Sequence, residues 1–217
     1  MTGPYAEVLQ IAALTLRIAF VATALACALG VPLGVWLGLT VFAGRRVALV
    51  FLNTALALPT VVVGLAIYLL LSRHGPLGAL QLLFTWKAIV VAEIVLAVPI
   101  AASLSAAGVQ AVDPRVRRTA LTLGAGPLRA AWAVAREARL ALAAAAAVAF
   151  GRVLSEVGAA LIVGGNIRHE TRTLTTAITL ATSQGQFVLA IALGLVLLAI
   201  ALTVNAVIQL LQGRGDA

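Results

Sequence analysis

Arg152, Glu156 and Glu93 stand inside stretches that are otherwise almost continuous hydrocarbon. Arg152 and Glu156 interrupt the apolar run from Leu140 to Val163, and Glu93 interrupts the run from Trp86 to Gly108. A spacing of four puts Arg152 and Glu156 on one helical face, a turn apart, and Glu93 is expected at about the depth of Glu156. Ionised groups among apolar residues are costly, so they face a bundle interior or water and find partners. Two chemistries fit the pattern. An Arg152–Glu156 or Arg152–Glu93 ion pair would fix the register of the helices. In the other, Arg152, with Ser155 nearby, offers a planar fork of donors to an oxyanion while the carboxylates keep the attraction weak enough for release. The two roles are compatible.

Reaction chemistry is not suggested anywhere else. No Ser-His-Asp set or cluster of metal ligands occurs within the apolar runs, and His74 and His169 are the only histidines, so no metal site is expected. Lys87 is the only lysine, and no G-x-x-x-x-G-K-[ST] stretch exists to cradle ATP phosphates. The chain cannot hydrolyse ATP by that route, and no cofactor is expected on it.

The elements that must hold these residues follow from composition and run length. The chain is 63% hydrophobic and 10% charged, with mean hydropathy +1.12, whereas soluble domains carry about a quarter charged residues. An α-helix needs about 20 residues to cross roughly 30 Å of hydrocarbon. Runs of that order predict five spans, at about Leu14–Phe42, Val47–Ser72, Trp86–Gly108, Leu140–Val163 and Phe187–Leu211. The expected class is an all-α polytopic membrane protein, with residues 1–217 forming one membrane domain in contact with lipid. The first run is too long for a signal-peptide core and lacks a basic region ahead of it, so it is expected as a retained helix.

The net charge of +8 is distributed by loop, which argues for topology and against nucleic-acid binding. Arg45, Arg46, Arg115, Arg117, Arg118, Arg129, Arg136, Arg139 and Arg214 fall on one side of the expected spans, and Arg73, Lys87, Arg168 and Arg172 on the other. The richer side is cytoplasmic by the positive-inside rule, which places the N-terminal "MTGPYAEVLQ" outside and the C-terminus inside. Cys27 is the only cysteine and lies in a span, so no intrachain disulfide can form.

Packing signals sit within the spans. Gly30, Gly34 and Gly38 in "GVPLGVWLG" recur at intervals of four on one face, the spacing that lets helix backbones approach closely. Pro32, Pro59 and Pro99 each remove a backbone donor and are expected to bend their helices. Five helices leave one chain little room to enclose a pathway, and the glycine faces favour close contacts, so a two-fold dimer of this chain is expected.

Between the third and fourth spans lies a polar interlude, "RRTALTLGAGP". Asp113 and Pro114 make a helix start, as N-cap acceptor and first helical residue, and Gly124 makes a stop in the left-handed conformation. A helix of about ten residues, about 15 Å long, is predicted between them, with Val116, Ala120 and Leu123 at apolar spacing. Pro127 then opens a second helix through "PLRAAWAVAREARL" toward the fourth span. On the opposite side, "VGGNIRHETRTLTTAITLATSQGQ" is the longest polar connection. Gly164-Gly165-Asn166 should end the fourth span, and Leu174, Ile178 and Ala181 should form one face of a short surface helix.

These residues carry a family resemblance. "RRTALTLGAGPLRAAWAVAREARL" resembles the EAA loop of ABC-importer permeases, with Arg118-Thr119-Ala120 where that family has Glu-Ala-Ala and Gly124 at the expected distance. "GRVLSEVGAALIVGGNIRHETRTLTTAI" and "LALPTVVVGL" are similar to the oxyanion branch, which imports molybdate, sulfate and tungstate, and they look closest to the tungstate members. The resemblance runs from about Leu16 to Leu211. Two departures stand out: Arg118 replaces the acidic first residue of the motif, and Ala138-Arg139 stands near where a Leu-Pro pair is usual.

The resemblance implies a type I importer permease fold in a bacterial or archaeal cytoplasmic membrane. It implies that the loop at about 111–139 couples to a cytoplasmic ABC ATPase dimer through Arg118, Thr119, Ala120, Leu123, Gly124, Ala125 and Pro127, with ATP and Mg bound on that partner. It also implies a second copy of this chain, and an extracytoplasmic substrate-binding protein received at a surface that includes Asn166, Arg168 and Arg172. On the residues alone, a secondary transporter or channel independent of ATP is the competing reading, and the cytoplasmic helical finger is what such a protein would not need.

Overall fold

The computed structural model describes residues 4–213, and every regular element among them is helical. Residues 1–3 and 214–217 lie outside the described set, and with them Arg214 of the cytoplasmic charge count and the first three residues of the N-terminal stretch. In chain order the helices are α1 (Pro4–Leu39), α2 (Arg45–Ala55), α3 (Thr60–Leu71), α4 (Trp86–Gln110), α5 (Pro114–Thr122), α6 (Pro127–Glu137), α7 (Arg139–Leu154), α8 (Gly158–Gly164), α9 (Leu174–Ser183) and α10 (Phe187–Gly213). A 3-10 turn at Gly78–Leu80 lies between α3 and α4.

Three of the five expected spans are unbroken helices long and apolar enough to cross a bilayer, at Ala6–Leu39, Trp86–Gln110 and Phe187–Val207. The second and fourth are each split. α2 and α3 meet at 98°, and α7 and α8 at 58°; counting each bent pair as one span gives five. The first break belongs to Pro59, which sits ahead of α3 with φ −62° and ψ 121°, where its ring and missing N–H stop the helix before it. Pro32 and Pro99, expected to act in the same way, lie inside continuous helices. The second break has no proline. At Ser155–Val157 the Glu156 side chain takes the amide of Ala159 at 3.0 Å, so a carboxylate enters the hydrogen-bond ladder and the helix turns there.

α4 is the central helix. It packs along α1 and against α7, α8, α2 and α3, presenting a buried row of small residues that includes Ala92, Ala97, Ala101, Ala102 and Ala106. The glycine face of α1 meets that row. A Cβ on Gly30 would lie 2.8 Å from the Ala101 Cβ, and one on Gly34 would sit on the Ala102 carbonyl and 2.7 Å from the Ser105 Cβ. Small-against-small contact lets these two helices approach closely, so that dispersion contacts hold them where lipid supplies no hydrophobic drive. The three glycines are therefore covered by α4 of their own chain, which removes them from the argument for a contact between copies.

α9 also differs from the expected surface helix. Leu174 and Ala181 are buried, and so are Thr173, Thr175, Thr176 and Ala177, while Ile178 is half-buried. The predicted apolar face exists, but α1 and α10 cover it, with Ile11 and Leu193 packed against Leu174 and Ala177.

Candidate functional site

The two breaks lie side by side. α3 packs on α8 through glycines: a Cβ on Gly64 would fall 2.8 Å from the Ala159 Cα, and one on Gly158 would fall 3.0 Å from the Thr60 Oγ1 and 3.5 Å from the Glu156 Oε1. The stretches "LALPT" and "SEVGAA", distant in sequence, thereby meet at Thr60, Glu156 and Gly158.

Arg152 lies in the last turn of α7, and its Nη1 donates to the Glu156 Oε2 at 2.7 Å. Glu156 is buried, with Oε1 held by the Ala159 amide, whereas the Arg152 side chain is 35% exposed. Of the two ion pairs that the sequence allows, the one within the fourth span forms. Glu93 is 2% exposed and lines, with Glu156, Thr15, Thr173 and Thr175, a cavity of about 10 Å³ between α1, α4 and the break. Glu93 and Glu156, on different helices, thus line one cavity. Ser155 caps α7, exposed, with its hydroxyl on the Arg152 carbonyl at 3.1 Å. This site holds a guanidinium beside a buried carboxylate, next to an exposed break between α7 and α8.

The connection between α8 and α9 is tied to α1. Arg168 donates to both oxygens of Glu7, from Nε at 2.8 Å and Nη2 at 2.6 Å, and this pairing raises the Arg168 pKa above its usual value. Arg172 lies 3.8 Å from the same carboxylate and donates to the Asn166 side chain at 3.3 Å. As predicted, α8 ends at Gly164, with Gly165 (φ +71°) and Asn166 (φ +50°) both left-handed. A groove of about 470 Å³ opens beside them between α1, α9 and α10, lined by Glu7, Arg168, Arg172, Ile11, Leu180 and Leu189 among others.

The finger at the opposite end forms from the signals that predict it. The Asp113 Oδ1 accepts the Arg115 amide at 2.8 Å, and Pro114 opens α5. At its end the Ala125 amide reaches the Ala120 carbonyl and the Gly124 amide the Leu121 carbonyl, each at 3.0 Å. That pair of bonds is a Schellman stop, and Gly124 takes it with φ +84°. Pro127 opens α6, which runs to Glu137 and passes through Ala138 into α7. The predicted apolar face divides. Val116 packs toward Val109, Val134 and Ala138 and Ala120 is half-buried, but Leu123 is 81% exposed, together with Leu128 at 84% and Trp132 at 65%. Arg118, Thr119, Gly124 and Pro127 are exposed around them, and Ala125 is half-buried.

Sequence reasoning missed several polar side chains. Arg17, on α1, stacks over the Trp86 ring at 4.2 Å and could have been noticed as a lone charge in an apolar run. Thr15, Thr60 and Thr175 give no such signal, because threonine is ordinary in membrane helices and their partners are remote in sequence.

The profile of the family described as binding-protein-dependent transport system inner membrane component matches residues 30–215. A probable anion ABC transporter permease protein of Haloferax volcanii is 43% identical over 91% of this chain and 87% of its own. The tungstate uptake system permease protein of Peptoclostridium acidaminophilum is 40% identical over 95% of this chain and 90% of its own. The molybdenum transport system permease protein of Azotobacter vinelandii is 31% identical over 76% of each chain. Among solved structures, a chain of an amino acid ABC transporter crystallised with histidines superposes with TM-score 0.70, covering 97% of this chain and 94% of its own at 20% identity, which speaks to the fold alone. The chain belongs to the binding-protein-dependent transport system inner membrane components, the multi-pass permease subunits of ABC importers.

Proposed function

We propose that this chain forms the pathway of an ATP-driven oxyanion importer and that its anion is tungstate. The observation that carries the coupling half is the finger: α5, capped at both ends, joined to α6, the two exposing Leu123, Leu128 and Trp132 on a basic surface. Apolar side chains at an aqueous tip mark a protein contact, and the partner is a cytoplasmic ATPase dimer that binds ATP and Mg. The half that concerns the anion rests on the 40% identity to a tungstate uptake permease and on Arg152, whose guanidinium fits a tetrahedral oxyanion.

In this reading residues 1–217 are one permease domain, two copies surround the pathway, the N-terminus is outside and the C-terminus inside. The anion passes Arg152, Ser155 and Glu156, with Glu93 behind them. A substrate-loaded binding protein docks at the outer connection, where Arg168 and Arg172 line the groove and Asn166 receives Arg172. Co-purification in detergent tests the coupling surface. The ATPase should stay with the wild-type chain and be lost from Leu123→Glu, and ATPase retained at wild-type stoichiometry by Leu123→Glu would contradict the assignment.

A further inference from the structure

We propose that Thr175 is a positioning residue for Arg152, passing contact at the outer connection through α9 to the break in the fourth span. This rests on the importer reading above. The break at Ser155–Val157 frees backbone groups at membrane depth, where an unpaired carbonyl is costly. The Glu156 carbonyl is met by the Thr175 hydroxyl at 2.7 Å. Thr175 is buried, so this bond fixes the backbone from which the Glu156 side chain extends, and that side chain aims the Arg152 guanidinium at 2.7 Å.

The other end of the relay is equally held. Thr175 lies in the first turn of α9, where Thr173 and Thr176 form a capping box. The Leu174 amide donates to the Thr15 Oγ1 at 2.9 Å, and the Thr15 hydroxyl donates to the Ile11 carbonyl at 2.7 Å, so the same turn is fastened to α1. The connection ahead of α9 reaches it through Asn166, whose Nδ2 donates to the Thr176 carbonyl at 3.4 Å, and Asn166 in turn receives Arg172. A displacement of the docking residues therefore arrives at Glu156 and Arg152 through hydrogen bonds and one rigid helical turn.

The test uses proteoliposomes holding this chain with its ATPase and binding protein. Thr175→Val keeps the shape and removes the donor. It should lower the maximal rate of ATP-driven tungstate uptake per assembled complex about tenfold, the scale of one buried acceptor left unpaired. The binding-protein concentration at half-maximal rate should stay at the wild-type value, and Thr175→Ser should restore the rate. If the valine variant does not assemble, the same comparison is made between Thr175→Cys and Thr175→Ser, similar side chains of which the thiol is the weaker donor. A wild-type maximal rate without the donor, or no recovery with serine, overturns the proposal. So does a changed half-maximal concentration at an unchanged maximal rate, which would assign Thr175 to docking. Failure of the underlying reading looks different: the charge-neutralised variant Arg152→Met with Glu93→Gln and Glu156→Gln would then import at the wild-type rate per assembled complex, whatever Thr175 does.

Discussion

Arg152 commits one nitrogen to Glu156 and leaves the rest of its fork without another side-chain partner among the described residues. A pair kept only for register and a pair that handles an anion respond differently to replacement. Removing one partner strands a charge and costs about 3–5 kcal/mol, whereas replacing both sides with neutral groups is close to neutral. Arg152→Met alone should therefore lower stability in detergent, and Arg152→Met with Glu93→Gln and Glu156→Gln should recover it. The recovered triple variant should nonetheless fail to import, as measured by anion uptake; full uptake would reduce Arg152 to a register pin. At Gly34 the issue is space. A side chain there meets the Ala102 carbonyl and the Ser105 Cβ, so Gly34→Leu should destabilise by about 1–3 kcal/mol or more. Gly126→Ala meets nothing within 4 Å, and its melting temperature in detergent should match the wild type. Arg152, Glu156 and Glu93 were legible because charges are rare in apolar runs, and Arg17 carried the same signal unread. Thr15 and Thr175 were not, because their partners lie 159 and 19 residues away and no local pattern encodes them.

The finger tests shape against charge. A basic loop that served only topology would tolerate any residue at Gly124, since orientation depends on Arg and Lys. In the structure Gly124 takes φ +84° and a Cβ built on it would meet nothing within 4 Å, so the requirement on it is conformational, and a β-branched side chain is strained in that region. Gly124→Val should insert and assemble normally yet weaken ATPase binding or uncouple hydrolysis from import, read as ATPase activity with and without loaded binding protein. Asp113→Ala removes the α5 cap and should cost about 1 kcal/mol of local helix stability, seen as faster amide exchange in α5. Finger and caps were predictable to the residue because each signal is local: a side-chain acceptor, a ring with no N–H, a glycine. The breaks were only half predictable. Pro59 announces the first, but its 98° turn depends on how Gly64 seats against Ala159, and the second depends on the Glu156 side chain capturing an amide. The glycine stripe likewise revealed a close contact in sequence without revealing that α4 makes it.

For the whole molecule, one chain presents large unpartnered apolar surface along α3 and α10, from Val61, Leu65 and Leu69 to Leu195, Leu198 and Leu202. The proposed pathway beside Arg152 needs a second wall, and the proposed two-fold pairing of this chain is the arrangement that would supply one without another gene product. Light scattering of the purified complex should give two copies of this chain, and a functional permease with a single copy would refute the dimer. The central claim is that tungstate crosses through this chain at the expense of ATP hydrolysed on another. Its most direct measurement is tungstate accumulation in proteoliposomes carrying this chain and its ATPase, with loaded binding protein on the binding-protein side and ATP on the finger side. Accumulation should require ATP, the ATPase and the binding protein together. Equal uptake without ATP, or uptake driven by an ion gradient alone, would contradict it.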